Sequence, residues 1–286
     1  LSDLQSQLAS AEPPTLGRLD GLEPSRSGND RHQAMLSLSG NGYRAALFHL
    51  GALTRLNELG LLARVDMVGA VAGGSILAAL LAARVPWPLS GPFGDWAEAV
   101  AEPMRSVARR NARTRAFGRG PISGGTGGAS EERYARRLLE TLGGEAPRRP
   151  RFIFGGAGLV LGEMGVDADA AGVGGVRWEI GKVASPPGYG KALVAEAIAT
   201  VRTGLDALGE AEQAVLENHG YLLADAAIRR DGADISGIEL PPLPPHPRWM
   251  DGERVRAALA GGSRRTGLGR LRPRRARPLS KGERAG

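Results

Sequence analysis

The chain contains no cysteine in its 286 residues. Disulfide frameworks, thiolate metal sites and cysteine nucleophiles are therefore excluded, and the redox compartment stays open. Aromatic residues make up only 5% of the sequence, and the four histidines (His32, His49, His219, His246) are scattered without metal-ligand spacing. No metal site is expected, and no cofactor. A long apolar run is also missing. The longest stretch, Val68 to Ala83, falls short of the roughly 20 residues that span a bilayer and is interrupted by Gly73-Gly74. It reads as a buried strand, a turn and a buried helix. Leu1-Ser2-Asp3 has neither the basic start nor the apolar core of a signal peptide. The absence of an initiator Met is what a fragment or a processed chain would show.

What is abundant is glycine, with 43 residues, and proline, with 19, so irregular stretches are expected. At 42% hydrophobic content the chain has enough apolar material for a full core, in one large domain or two small ones. The net charge of +7 is concentrated at one end. From Gly262 onward nine Lys/Arg stand against the single Glu283, a net +8, which leaves −1 for all the rest. The high isoelectric point therefore describes the tail and not the body. A basic arm can attract nucleic acid or anionic lipid. With almost nothing apolar to bury, this one reads as a disordered end, and no nucleic acid is expected to bind the body.

Three regions follow from the pattern: a polar arm over residues 1–33, an α/β domain over 34–260, and the basic tail over 261–286. From Met35 to Ala83 the order is strand, glycine turn, helix (Ala45 to Leu59, stopped by Gly60), strand, glycine turn, helix. That repetition predicts parallel strands with right-handed crossovers. Further on, the spacing predicts helices over Trp96 to Arg110, Ser130 to Leu142, Lys191 to Leu208, Glu210 to Arg230 and Arg254 to Leu259. Strands are predicted at Arg151 to Phe154 and Val176 to Val183, with a flexible loop over Gly118 to Gly128. Pro241 to Pro247 reads as an extended proline-rich segment. Gly155 to Gly175 is mostly Gly, Ala and Val, with no period.

The two glycine turns carry the chemistry. The first is Ser39-Gly40-Asn41-Gly42-Tyr43-Arg44, after Met35-Leu36-Ser37-Leu38. Successive N–H groups at a helix start attract negative charge, which suits either a dinucleotide pyrophosphate or the oxyanion of an acyl-transfer intermediate. Gly40-x-Gly42-x-x-Ala45 fits the loose dinucleotide pattern, a weak signal alone. The second turn, Ala70-Val71-Ala72-Gly73-Gly74-Ser75, has the small-residue make-up of a nucleophile elbow, in which crowding tolerates only glycine after the central position. A dinucleotide fold wants an acidic residue ending its second strand, whereas Asp66 sits near the start of it. The oxyanion reading is the better one.

Ser37 to Leu53 closely resembles the first conserved block of the patatin-like phospholipases. Val68-Gly69-Ala70-Val71-Ala72-Gly73-Gly74-Ser75-Ile76 resembles their nucleophile block, and Glu217 to Ala227 is similar to a late helix in a bacterial branch of the family. The resemblance covers about residues 35–155 and 176–260. It implies a three-layer α/β/α sandwich with a mainly parallel sheet, a Ser-Asp dyad and a lipid or acyl-ester substrate. It also implies oxyanion N–H groups from Gly40, Asn41 and Gly42, with Arg44 completing the motif and Gly73 and Gly74 completing the elbow. Asn41 stands where the family usually has glycine, a mild departure given the tolerance of asparagine for left-handed dihedrals. Ala72 stands at the serine position, and a methyl group cannot attack a carbonyl. Ser75, one helical turn on, points away from the elbow and is no substitute. The family acid lies in an Asp-Gly-Gly or Asp-Gly-Ala motif at a strand end. Asp231-Gly232-Ala233 is the textual match, but it follows a helix, and Asp167 and Asp169 have no motif around them. The acid half of the dyad is read as absent.

Three readings result: an acyl hydrolase scaffold impaired at its nucleophile, a non-catalytic binder of lipid or of a partner, and a more distant dinucleotide-binding protein. Peripheral membrane contact and a cytoplasmic or membrane-peripheral location are the matching expectations. The periodless Gly155 to Gly175 and the Gly/Arg/Pro-rich tail are what out-of-frame reading of GC-rich DNA produces, which favours natural decay over an engineered alanine. Nucleotide sequence in frame and continuous across both segments in independent clones would sink that idea. A shortened sheet would leave apolar edges exposed. A low melting temperature is therefore expected, and a sharp thermal transition well above the mesophilic range would contradict it.

Overall fold

The computed structural model describes residues 34–112, 135–138, 140, 147, 149–154, 176, 178–184, 188–231 and 240–262, all within the compact unit Gln33–Gly286. The loop expected over Gly118 to Gly128, most of the helix expected over Ser130 to Leu142, the periodless Gly155 to Gly175, Gly232-Ala233, the N-terminal arm and the tail beyond Gly262 lie outside the described residues.

Three parallel strands make one sheet in the order β1-β2-β3, with β1 Ala34–Leu38, β2 Val65–Ala70 and β3 Arg151–Phe154. Leu38 pairs with Ala70, and Ala70 with Phe154, so the carboxyl ends of all three strands are level. Helix α1 (Gly42–Glu58) crosses from β1 to β2, and α2 (Gly73–Arg84) leaves the end of β2. The alternation expected of a strand covered on one side is visible in β1, where Leu36 and Leu38 are buried while Met35 and Ser37 are exposed. The architecture is α/β with a parallel sheet, as the repeated strand-turn-helix pattern indicated.

Helix α1 stops where Gly60 takes φ +67, and α2 ends at Val85, pushed into extended backbone by the following Pro86. The helix expected over Trp96 to Arg110 opens with a widened π-turn, Ala97–Ala101, before α3 (Glu102–Ala108). Pro103 accounts for this, since it lacks an N–H and its ring would clash with the carbonyl four residues back.

Two expectations need correction. Val176 to Val183 is no strand in its described part. Residues 180 and 181 are in a turn, Lys182 donates to the Glu179 carbonyl, and the Ile180 carbonyl accepts from His219 Nε2 at 2.8 Å. The helix expected over Lys191 to Leu208 is only Lys191–Leu193 followed by a π-turn, Val194–Ile198. Its continuation is intercepted by Arg44, whose guanidinium takes the Ala199 and Val201 carbonyls at 2.7 and 3.0 Å.

Helix α4 (Glu210–Asp231) is the longest element and crosses α1 in near-backbone contact. A Cβ on Gly220 would lie 1.8 Å from the Phe48 carbonyl oxygen, and one on Gly51 would lie 1.9 Å from that of Glu217, so glycine on both helices sets their separation. The start of α4 is held by Glu212, whose carboxylate accepts the Gly209 N–H at 2.7 Å, as in half of a capping box. Four polar residues of α4 are buried: Glu217, Asn218, His219 and Asp225 are all under 9% exposed. Each has a partner. Arg105 from α3 forks onto Glu217, and the fully buried Arg55 from α1 pairs with Asp225 at 2.7 Å. The C-terminal helix α5 (Gly252–Gly262) packs Val255 and Leu259 into the same core.

Burial holds His219 at about 4 despite its bond to the Ile180 carbonyl, and burial lowers His49 as well. Both are neutral when folded and take up a proton near pH 6.5 when unfolded. Stability is therefore lost as pH falls from about 6.5 toward 4, by about 3 kcal/mol for His219 alone. Buried Glu217 is pulled down against its burial by His246 and Arg105, so its own contribution is lost only below its unfolded range near pH 4.3. Urea unfolding at pH 7 and pH 5 should show a marked loss at the lower pH, reduced in His219→Gln, and equal stability at the two values would refute the assignment.

Candidate active site

Level strand ends place the two turns side by side at the carboxyl edge of the sheet, the usual ligand edge of a parallel α/β sheet. They are joined by backbone alone. Val71 N–H donates to the Leu38 carbonyl at 2.9 Å and extends the strand pairing, and Gly73 N–H donates to the Gly40 carbonyl at 2.7 Å. The fit leaves no room for side chains: a Cβ on Gly73 would stand 2.3 Å from the Gly42 carbonyl oxygen, and one on Gly74 would stand 2.3 Å from that of Leu38. The elbow pattern of small residues after Ala72 thus has a steric cause in the neighbouring turn.

Ala72 has φ 49 and ψ −126, and among the described residues it alone is a non-glycine with positive φ. Such a conformation costs an L-residue about 1–3 kcal/mol. It belongs to a turn that lifts one side chain off the end of a strand ahead of a helix, as a nucleophile elbow does. Here that side chain is a buried methyl. Ser75 is no nearer to a role: its N–H closes the turn onto the Ala72 carbonyl at 3.0 Å, and its Oγ is fully buried without a hydrogen-bond partner.

The first turn is braced from below and behind. His49 Nε2 donates to the Ser39 carbonyl at 2.6 Å, which fixes the neutral ring with Nδ1 unprotonated. Gly40 and Asn41 are exposed at the head of α1, whereas Gly42 is buried, with the Thr203 carbonyl oxygen 1.8 Å from where its Cβ would be. Tyr43 N–H reaches the Gly204 carbonyl at 3.3 Å. Arg44 does not point at the turn; it ties the Ala199 and Val201 carbonyls, and with them the Thr203-Gly204 segment that lies on Gly42. Sequence reasoning missed this segment, because nothing local marks a backbone carbonyl as the partner of an arginine some 155 residues away.

Asp231 is the last residue of α4, two residues after Arg229, which shares the Leu240 carbonyl with Arg55 at the end of α1 opposite the turns, and its carboxylate is paired with Arg230 at 2.6 Å. That pairing lowers its pKa. Asp167 and Asp169 lie outside the described residues. Among the described residues no three His, Asp or Glu gather as a metal site, and no helix is long and apolar enough to cross a membrane.

Two glycine turns, the second with the backbone of an elbow, stand side by side at the carboxyl edge of a parallel α/β sheet. Residues 36–231 match the family model described as patatin-like phospholipase, and the chain belongs to that family. Neither a curated protein nor a solved structure matches it.

The strain at Ala72 yields a prediction. Glycine adopts φ 49 and ψ −126 freely. Relief of about 1–3 kcal/mol is set against the loss of one buried methyl, about 0.8 kcal/mol, and the extra unfolded-chain entropy of glycine, about 0.4–1 kcal/mol. Ala72→Gly is therefore expected to leave the free energy of urea unfolding close to the parent's; a loss of about 2 kcal/mol, the sum of those two costs with no relief, would mean that the backbone is not held as described.

Proposed function

We propose that this chain is a patatin-like lipid acyl hydrolase scaffold that has lost its ester chemistry, with Ala72 at the nucleophile position. The observation that carries the reading is the elbow backbone. A strained positive-φ residue at the end of the central strand serves no packing need of alanine, but it is the geometry a serine nucleophile requires. The oxyanion role falls to the N–H groups of Gly40 and Asn41, on exposed residues at the positive end of α1. The N–H of Gly73, which follows the nucleophile position and donates to the oxyanion in many α/β hydrolases, is occupied by the Gly40 carbonyl. Arg44 acts on the turn indirectly, by holding the 199–204 segment against it.

The family implies a lipid or acyl-ester ligand, and peripheral membrane contact would deliver it. Without nucleophile and acid, the retained turn can bind the carbonyl or carboxylate end of such a molecule without cleaving it. A non-catalytic lipid-binding role is the second reading, and the exposed Gly40-Asn41 turn favours it.

Hydrolysis of a short-chain nitrophenyl ester by the parent chain, by Ala72→Ser, and by Ala72→Ser combined with Asp231→Asn tests the reading. The parent is expected to show no burst and no saturable turnover. Ala72→Ser should gain far less than the roughly 10⁶ that separates a complete serine site from one without its nucleophile. Asp231→Asn should leave that gain unchanged. Saturable turnover by the parent would overturn the proposal, and a gain abolished by Asp231→Asn would restore Asp231 as the acid.

A further inference from the structure

The proline-rich segment Leu240 to Pro247 lies outside the hydrolase turns, and its contacts define a second feature of the molecule. Its backbone is held at every third residue. The Leu240 carbonyl accepts from Arg55 Nη2 at 2.5 Å and Arg229 Nη2 at 2.7 Å. Leu243 N–H donates to the Tyr221 hydroxyl at 3.1 Å. His246 N–H donates to the Asn218 carboxamide at 2.9 Å, and its carbonyl accepts from the same carboxamide at 2.8 Å. Three residues per turn is the repeat of polyproline II, in which the same edge returns at 240 and 243. The backbone then bends at Pro245, His246 takes φ −129 and ψ 72, and Pro247 opens a 3₁₀ turn. The contacts run antiparallel along α4, from Arg229 at Leu240 through Tyr221 at Leu243 to Asn218 at His246, a rise of about 17 Å. Leu240, Pro241, Leu243 and Pro244 each precede a proline, which drives them to extended backbone.

The consequence lies on the outer side. Of residues 241–247 five are prolines, and the two that carry an N–H, Leu243 and His246, both turn it inward to α4. What faces solvent is rings, carbonyl oxygens and the Leu243 side chain, at 73% the most exposed of the large apolar residues described, with Leu240 at 48% beside it. Pro241 is exposed, and Pro242, Pro244 and Pro245 are half-buried. A surface of proline rings and one leucine, with acceptors but no donors, is complementary to an aromatic-lined groove whose indole N–H and phenol groups donate. Because α4 already holds the backbone, little ordering entropy remains to be lost on docking.

We infer that Leu240–Pro244 is a preformed polyproline II ligand, displayed on α4 for the aromatic-lined groove of a proline-recognising protein module. The inference is independent of the ester chemistry. The test titrates purified SH3, WW and EVH1 domains, the probes for this groove chemistry, with the full chain, with Leu243→Ser, with Pro244→Ala and with a free peptide of residues 240–248. At least one domain should bind the full chain with a Kd below about 1 mM, and more tightly than it binds the peptide. Leu243→Ser should weaken that binding about tenfold, the effect of removing an anchoring leucine. Far-ultraviolet circular dichroism and thermal melting should be unchanged, since so exposed a side chain supports no core. Three results would overturn the inference: no domain binds below about 1 mM, the peptide binds while the chain does not, or Leu243→Ser binds as the parent does. Self-association of the chain that Leu243→Ser abolishes, with no domain bound, would seat a second copy there and likewise overturn it.

Discussion

One backbone hydrogen bond, from Gly73 N–H to the Gly40 carbonyl, ties together everything this molecule does at its carboxyl edge. It forms only because β1 and β2 end at the same level and because neither turn carries a side chain where the two meet. Substituents at Gly73 or Gly74 would collide with backbone and not with the movable end of another side chain, so neither position can relax around a replacement. The clasp then fixes where α1 and α2 begin. The start of α1 in turn decides where Gly51 meets α4, and so the placement of the largest helix in the core. The turns are the structural keystone as well as the candidate site, so their glycines are required by packing whatever residue stands at position 72.

Ala72 sharpens that point. A strained residue survives where the surroundings over-determine it. Val71 on one side is locked to Leu38 and Gly73 on the other to Gly40, so the dihedrals of Ala72 follow from its neighbours whatever side chain it bears. The clasp therefore imposes the dihedrals, and the strain arises from the Cβ that any residue other than glycine brings to them. Loss of a serine hydroxyl changes the chemistry at the elbow and leaves its backbone intact.

Much of this was legible in the sequence, and the limits are instructive. Strands β1, β2 and β3, helices α1, α2 and α4 and the two turns follow from alternation, helical spacing and glycine placement, all of which are local signals. The failures share a cause. The helix expected to reach Leu208 ends at Ile198 because Arg44, far away in sequence, takes its carbonyls. The strand expected around Ile180 is lost to a carbonyl held by His219. The burial of polar residues on α4 has no local signal either, because polarity implies exposure only until a partner is found. Arg55 and Arg105 supply that partner from helices more than 100 residues distant. At the site, the types and spacing of Gly40, Gly42, Ala72, Gly73 and Gly74 were readable, whereas the part played by Arg44 and by Thr203-Gly204 was not, since it rests on main-chain oxygens that have no sequence signature.

The burial of charge on α4 then acquires a reason. A buried ion pair is weak evidence for stability, because desolvation opposes the attraction between the partners. Glu217, Asp225 and their arginines do more than pair with one another. His246 Nε2 bonds to Glu217 Oε2 at 3.0 Å, and Arg55, which pairs with Asp225, also donates to the Leu240 carbonyl. Asp225 orients Arg55, which grips one end of the proline-rich segment, Glu217 holds the His246 ring at the other, and Tyr221 grips the middle. A segment of five prolines can offer only two N–H groups and forms no ladder of its own, so side chains must hold it, and side chains that hold it reproducibly must themselves be fixed. Polar residues at Glu217, Asn218, Tyr221 and Asp225 serve that end where apolar ones would pack as well but grip nothing.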